Sequence, residues 1–271
     1  MKILDSDDWF DSKSLSSFVE ELEKVDSDMV VTHFNVINYN GTRELSKYNV
    51  YGKEPYEYGK VYDLDYVLSG GYIRFFLMHS LAYRTEMLCT SGYRQTEGIS
   101  YTDTEWCTYP LFCAKSIVFL DLSLYQYNLA REGQTMDPKV VSRSLDQMCR
   151  MTFSMFDFYD KFDKRKLSDI RLTFLKQYFR NRIRILSKCY LYDIPRDEFD
   201  ADVFAKVDEG LQAFRMRNGI EQIKLIPENK LLRIDIYKYW SKHHNRLPSI
   251  VERINYMIDI VVKDVYVKIF R

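Results

Sequence analysis

The rhythm of apolar positions along the chain changes near Pro138, and that change is the first guide to its organisation. Before Pro138, β-branched and aromatic residues come in short, roughly alternating runs separated by turn residues. Residues 27–41, SDMVVTHFNVINYNG, carry the two-residue period of a strand and close on Asn40-Gly41, a hairpin signal. Just ahead, Asp11 and the serines after it can cap a helix that places Leu15, Phe18, Val19 and Leu22 on one side and Glu20, Glu21, Glu23 and Lys24 on the other. The first residues, KILDSDDW, read as the end of a strand running into carboxylates. Residues 43–66 read as loop and short strands, Gly70-Gly71 opens an apolar stretch over 73–83, and 90–102 reads as loop. Then come an apolar helix at 106–114, a strand at 117–120 and a second strand at 124–129, stopped by Gly133 and Pro138.

Beyond Pro138 the period lengthens to that of helices, with few breakers. In 164–188, Leu167, Ile170, Phe174 and Tyr178 recur at helical spacing while Arg and Lys fill the other faces. Asp193-Ile194-Pro195 and Gly219 are later breaks, and 248–271 starts like a helix with Pro248 in its first turn. Its tail, VVKDVYVKIF, leaves strand and helix open. The pattern therefore predicts an α/β region over 1–138 followed by a mostly α-helical region over 139–271.

Composition narrows the class. With 271 residues, 46% of them apolar, ten Gly and six Pro, the chain is a folded protein with ample core and neither a disordered tail nor a collagen-like or disulfide-stapled miniprotein. Zero net charge argues against nucleic acid as a partner. It conceals 12 basic and 21 acidic residues in 1–138 against 27 and 18 in 139–271, halves of −9 and +9. Five cysteines without CxxC spacing suggest reduced thiols and a cytoplasmic place. The longest uncharged run, 29–42, is shorter than the ~20 apolar residues of a membrane span, and the first residues do not read as a signal peptide.

Three clusters can carry chemistry. On an extended strand end Asp5 and Asp7 would share one face, an oxygen site suited to Mg²⁺ or Mn²⁺ and through it to a diphosphate; turn and cap residues are the plain alternative. Asp103-Thr104-Glu105-Trp106 precedes an apolar helix, where Asp103 is either an N-terminal helix charge or a general base. Arg131-Glu132-Gly133-Gln134-Thr135 follows a strand; its arginine could grip phosphate. His79, within FFLMHSLAY, reads as a core histidine with its hydrogen bonds satisfied or a further polar contact.

In this order the three clusters resemble the family-2 inverting glycosyltransferases of the GT-A fold, the bacterial kind that builds surface polysaccharide. That family ends a strand in Leu-DSDDW, as Leu4 to Trp9 do here; it carries EDTEF or EDTEW about a hundred residues on, here with Thr102 in place of the first Glu. A Y.Y..R.GS.T pattern follows, matched by Tyr125, Tyr127, Arg131, Gly133, Gln134 and Thr135, with Gln134 for the usual Ser. The resemblance implies that Asp5 and Asp7 hold the cation and the nucleotide diphosphate with Asp8 nearby, and that Arg131 and Gln134 contact the donor. It implies that Asp103 is the base, that Glu105 and Trp106 face a saccharide or lipid-linked acceptor, and that a sugar moves from its nucleotide donor with inversion.

The resemblance covers residues 1 to about 138. The family's P.YN turn and VDDGS nucleotide-gripping segment lie ahead of its DxD, where this chain has four residues, so the resemblance implies a truncated chain, the C-terminal part of a GT-A domain, with little or no transferase activity as it stands. The helical region after it matches nothing in the family. Its ten Lys and Arg over 161–188 read as a solvated face, or as a stripe for anionic lipid at the inner face of the membrane. Two other functions stay open: an interaction or scaffold remnant of a polysaccharide assembly system, and, more distantly, a haloacid-dehalogenase-like phosphatase, which also has DxD after its first strand.

Overall fold

Two strands rich in Val, Ile, Phe and Leu pair in parallel at the centre of the fold, a composition suited to burial on both faces. A computed structural model describes residues 1–38, 40–46, 55–73, 75–129, 143–195, 198–225 and 235–243. β2 (Met29–Ile37) runs alongside β6 (Ser116–Asn128), from Met29 opposite Ile117 to Ile37 opposite Asn128. Antiparallel strands flank this pair. β4 (Val61–Asp63) and β5 (Leu81–Tyr83) border its start, while β1 (Trp9–Phe10) and β3 (Arg43–Ser46) border its carboxyl end. The result is a six-stranded mixed sheet in an α/β chain.

Several predicted elements form as expected. α1 (Ser12–Lys24) starts where the Asp11 carboxylate accepts the Ser14 N–H at 2.9 Å. Phe18 buries that helix against Val30, Ala82, Val118, Leu120 and Leu124, whereas Leu15, Val19 and Leu22 on the same side stay exposed. The hairpin closes as read: Asn38 N–H donates to Thr42 O, Gly41 N–H donates to Asn38 O, and Gly41 takes φ +75°, a conformation that favours glycine.

Other elements differ. The two strands expected at 117–120 and 124–129 are one strand, β6. Thr32, His33 and Phe34 face Leu120, Ser123 and Tyr125, so residues 121, 122 and 124 bulge out of the ladder, and the polar Asp121 and Ser123 that interrupt the apolar run mark this irregularity. The helix expected at 106–114 begins earlier, as α4 (Asp103–Thr108), and tightens to a 3₁₀ turn over Tyr109–Phe112. Pro110 lacks the N–H that would continue it. Residues 2–8 form no strand; Asp8 N–H donates to Asp5 O at 3.2 Å, closing a turn before β1. α2 (Leu64–Ser69) and α3 (Thr85–Ser91) complete the region before Pro138.

The later helices are α5 (Leu145–Lys161), α6 (Asp169–Lys188), α7 (Ala201–Arg217) and α8 (Ile236–Lys242), with a π-helical turn at Cys189–Asp193. The compact units do not divide at 138: the first is Met1–Val140 with Arg150–Tyr178, the second Val141–Cys149 with Phe179–Arg271. The reason is packing within the first unit. Phe158 lies 4.3 Å from Tyr109 and 5.0 Å from Phe112 between ring centroids, and Phe174 meets Phe76 at 6.2 Å. α6 also buries a stripe shifted from the expected one: Arg171, Phe174, Leu175, Phe179, Arg182, Ile183 and Leu186 are inside, while Ile170 is exposed. Two of the ten cations proposed for a lipid face are therefore interior, and Arg165, Arg180 and Lys188 pair with Asp163, Glu221 and Asp193. No helix among the described residues is long and apolar enough to cross a membrane. All five cysteines are free; Cys107 and Cys189 are buried and Cys89 is exposed.

In the second unit one buried carboxylate ties two helices together. Asp208 of α7 accepts hydrogen bonds from the Tyr237 hydroxyl at 2.5 Å, Gln212 Nε2 at 3.2 Å and Trp240 Nε1 at 3.3 Å. Asp208→Ala strands the Tyr237 and Trp240 donors in the core. A loss of about 2 kcal/mol is expected, read as a lower midpoint of urea unfolding.

Candidate active site

The carboxylates singled out by sequence meet at the carboxyl end of the parallel pair, where open α/β sheets commonly bind ligands. Asp8 sits there because both of its oxygens are anchored to the end of β6: Asn128 N–H donates to Oδ1 at 2.8 Å and the Tyr125 hydroxyl to Oδ2 at 2.6 Å. The same hydroxyl accepts the Asp5 N–H at 3.2 Å, and Asn128 Nδ2 donates to Asp7 O at 3.4 Å. The register of β1 against β6, Trp9 opposite Gln126 and Phe10 opposite Tyr125, holds this turn in place.

The turn changes which carboxylates belong together. In an extended strand Asp5 and Asp7 would share a face. Across the turn it is Asp5 and Asp8 whose oxygens converge, and with them comes His79, all three ligand atoms lying within 4.8 Å of one another. Burial, followed by repulsion from Asp8, Asp7 and Asp103, raises the Asp5 pKa above the ordinary carboxylate value. Burial raises that of Asp8 as well, opposed by the Asn128 and Tyr125 hydrogen bonds.

Asp103 comes to the same face from a distant part of the sequence. It is exposed in the first turn of α4, and its charge is among the causes that raise both Asp5 and the half-buried Tyr127 phenol, after burial, Asp8 and Asp5 in the latter case. Ahead of it Tyr101 holds φ +68°, a left-handed backbone that costs about 1–3 kcal/mol in a bulky residue and turns the chain into α4.

The other expected contacts fall elsewhere. Glu105 is fully buried, accepting the Thr96 N–H at 2.8 Å and the Thr96 hydroxyl at 2.6 Å; it anchors the preceding loop rather than facing an acceptor. Trp106 is 1% exposed and packs edge-on against Tyr83 at 4.8 Å, so it is a core residue too. Helical periodicity explains both, because a short helix on a core must turn residues that follow Asp103 inward. Arg131 and Gln134 lie outside the described residues.

Lys2 was not singled out by the sequence, and His79 was read there as a core histidine or a further polar contact. Lys2 reaches under the site, its ammonium donating to His79 O at 2.8 Å and Leu81 O at 3.1 Å, and burial lowers its pKa to about 7. His79 is not the satisfied core histidine that its apolar neighbours suggest. Its ring packs against Tyr127 at 4.2 Å, Tyr125 at 4.9 Å and Phe34 at 5.1 Å, yet its Nδ1 is buried with no hydrogen-bond partner among the described residues. Burial and the neighbouring Lys2 lower its pKa to about 4, leaving a neutral imidazole. No local motif marks Lys2, and only the fold brings it and His79 under residues 5–8.

A cavity of about 310 Å³ elsewhere in this unit is lined by residues that include Asp28, Arg84, Glu86 and Lys115, and by none of the site residues. Arg84 there is engaged by Asp26 and Asp28, and Asp28 also accepts the Lys115 N–H. No protein-family model matches the chain, and no curated protein matches it.

Proposed function

We infer that the carboxylate face is the site of a metal-dependent glycosyltransferase of the GT-A kind, moving a sugar from a nucleotide-diphosphate donor to a hydroxyl of a saccharide or lipid-linked acceptor with inversion, in the synthesis of surface polysaccharide. The observation that carries the reading is the meeting of Asp103 with Asp5, Asp7 and Asp8 at one end of the parallel strands, where the carboxylates of residues 5–8 can serve a cation and Asp103 a base.

The residues present fit a divalent cation. Two carboxylates and an imidazole lie within ligand reach of one another, and one imidazole nitrogen is a buried polar atom without a partner. Mg²⁺ or Mn²⁺ bound there would neutralise the charge developing on a leaving nucleoside diphosphate. Asn128 and Tyr125 hold Asp8, fixing the turn before any ligand arrives. Asp103, which is exposed, takes the proton of the acceptor hydroxyl as that oxygen attacks the anomeric carbon opposite the leaving group.

The reading is tested by titration calorimetry of the full chain with a panel of uridine, guanosine and thymidine diphosphosugars, with and without Mn²⁺. Micromolar binding that requires Mn²⁺ is expected, and would also overturn the expectation of an inactive half-domain. Absence of binding across the panel would overturn the transferase reading and leave an interaction module.

A further inference from the structure

We propose that the tyrosine cluster around Tyr66 is a second saccharide-binding surface, on which the exposed Tyr66 ring stacks against the C–H face of one sugar unit of the acceptor chain, away from the end that reacts. The proposal rests on the reading above only in calling that saccharide the acceptor; binding of the sugar itself needs neither donor nor cation.

The cluster is built outward from the core. Tyr56 is its buried hub. It stacks on Phe119 of β6 at 5.0 Å between centroids and 8° between planes, and it meets Tyr62 of β4 at 5.3 Å, Tyr72 at 6.2 Å and Tyr66 of α2 at 6.5 Å, all edge-on. Its hydroxyl donates to Val67 O at 3.0 Å. Beyond the hub, Tyr62 and Tyr66 lie 12° from parallel with centroids 6.1 Å apart, and Tyr66 is 61% exposed. A lone exposed apolar side chain needs no explanation, whereas this ring continues a packed aromatic series into the solvent. Its backbone is fixed as well, since the Asp63 carboxylate accepts the Tyr66 N–H at 2.9 Å. Packing behind it is so close that a Cβ at Gly70 would come to 2.7 Å from Tyr56 Oη and 3.1 Å from Tyr72 Cδ2. The platform is therefore ordered before any ligand arrives, which lowers the cost of binding.

The surrounding chemistry selects the occupant. An aromatic face is electron-rich and attracts the weakly positive C–H groups that a pyranose presents on one side. Polar groups close by can meet the hydroxyls of the sugar: Asp63 is exposed, and Glu57 pairs with Lys60 at 2.6 Å while the Lys60 ammonium lies 5.4 Å from the centre of the Tyr62 ring. The carboxylates of Glu57 and Asp63 repel phosphate, which disfavours a nucleic acid strand although its bases also stack. Tyr66 and Val61 are the exposed large apolar side chains of α2 and β4, far less surface than the roughly 800 Å² that each partner of a stable protein pair buries. β4 pairs with the start of β6, Val61 opposite Val118, whereas Asp8 is anchored at its far end by Asn128. At about 3.3 Å per residue the intervening strand is roughly 30 Å long, so only an acceptor of several sugar units reaches both places.

The experiment is native electrophoresis of the full chain through gels containing soluble glucan, galactan or mannan, with no nucleotide or divalent cation, followed by calorimetry with a hexasaccharide of the polymer that retards it. Retardation by at least one polymer is expected. Tyr66→Ala should weaken the hexasaccharide at least about tenfold, while Tyr66→Phe, which keeps the ring, should change it less than about threefold. Absence of retardation in all three gels overturns the proposal, and so does binding that Tyr66→Ala leaves unchanged. An equal loss in Tyr66→Phe overturns it too, by moving the contact from the ring to the hydroxyl. A concentration-dependent dimer that Tyr66→Ala dissociates, without saccharide binding, would give the surface to a second copy instead. Tyr66-dependent saccharide binding in a chain that binds no diphosphosugar would keep the platform and remove the transferase.

Discussion

Asp103→Asn is expected to lower the rate of sugar transfer by about 10³-fold while Mn²⁺-dependent donor binding stays within about twofold. The amide matches the carboxylate in size and cannot take a proton from the acceptor hydroxyl. Local structure should survive the change, because Asp103 is exposed and the entry to α4 is set by the Tyr101 backbone and by Trp106 N–H donating to Thr102 O, neither of which uses the Asp103 carboxylate. Removing its charge also relieves repulsion on Asp5 and slightly weakens the negative potential of the site. Single-turnover kinetics separate the two effects. A loss confined to donor affinity, with the chemical step unchanged, would assign Asp103 to binding and take the base away from it.

Arg171→Leu is expected to destabilise the first unit by about 3–5 kcal/mol, the largest change for any single side chain described here. Arg171 is 6% exposed, and its guanidinium donates to Asp65 Oδ1 at 2.7 Å, to Leu111 O at 2.5 Å and to Ala114 O at 2.9 Å. One cation therefore ties the start of α6 to α2 and to the end of the 3₁₀ turn after α4. Leucine fills the volume and leaves a half-buried carboxylate and two carbonyls without their donor. Urea unfolding gives the measurement, with Arg171→Lys as the comparison: lysine restores charge without the planar fork and should recover only part of the loss. A cost below about 1 kcal/mol would mean that water replaces the guanidinium without penalty.

Both expectations bear on how much could be read from the chain alone. α1, β2 and the Asn40-Gly41 hairpin were legible, because a cap, an alternation or a turn residue is a local property. β6 was read as two strands because bulging residues break the alternation without ending the ladder. The buried stripe of α6 was misplaced for a different reason. Arg171 looks like a surface residue in any periodic reading, and it becomes interior only because Asp65, Leu111 and Ala114 converge on it from elsewhere in the chain.

The candidate site divides in the same way. The residue types and their order along the chain pointed to Asp5, Asp7, Asp8 and Asp103, since carboxylates in short motifs are visible without a fold. Which of them converge, and with what, depended on backbone geometry at a few residues. A turn at 5–8 replaces strand alternation, exchanging Asp7 for Asp8, and the packing of β6 against the segment before β5 brings His79 beneath them. Glu105 and Trp106 moved the other way, from expected contacts to core, because α4 must bury the face that follows Asp103. The sequence by itself determined local conformation and the stock of chemical groups, which depend on neighbours a few residues apart. The tertiary structure alone decided their pairing, because convergence of side chains distant in the chain is set by register and burial, and neither is encoded at the positions that meet.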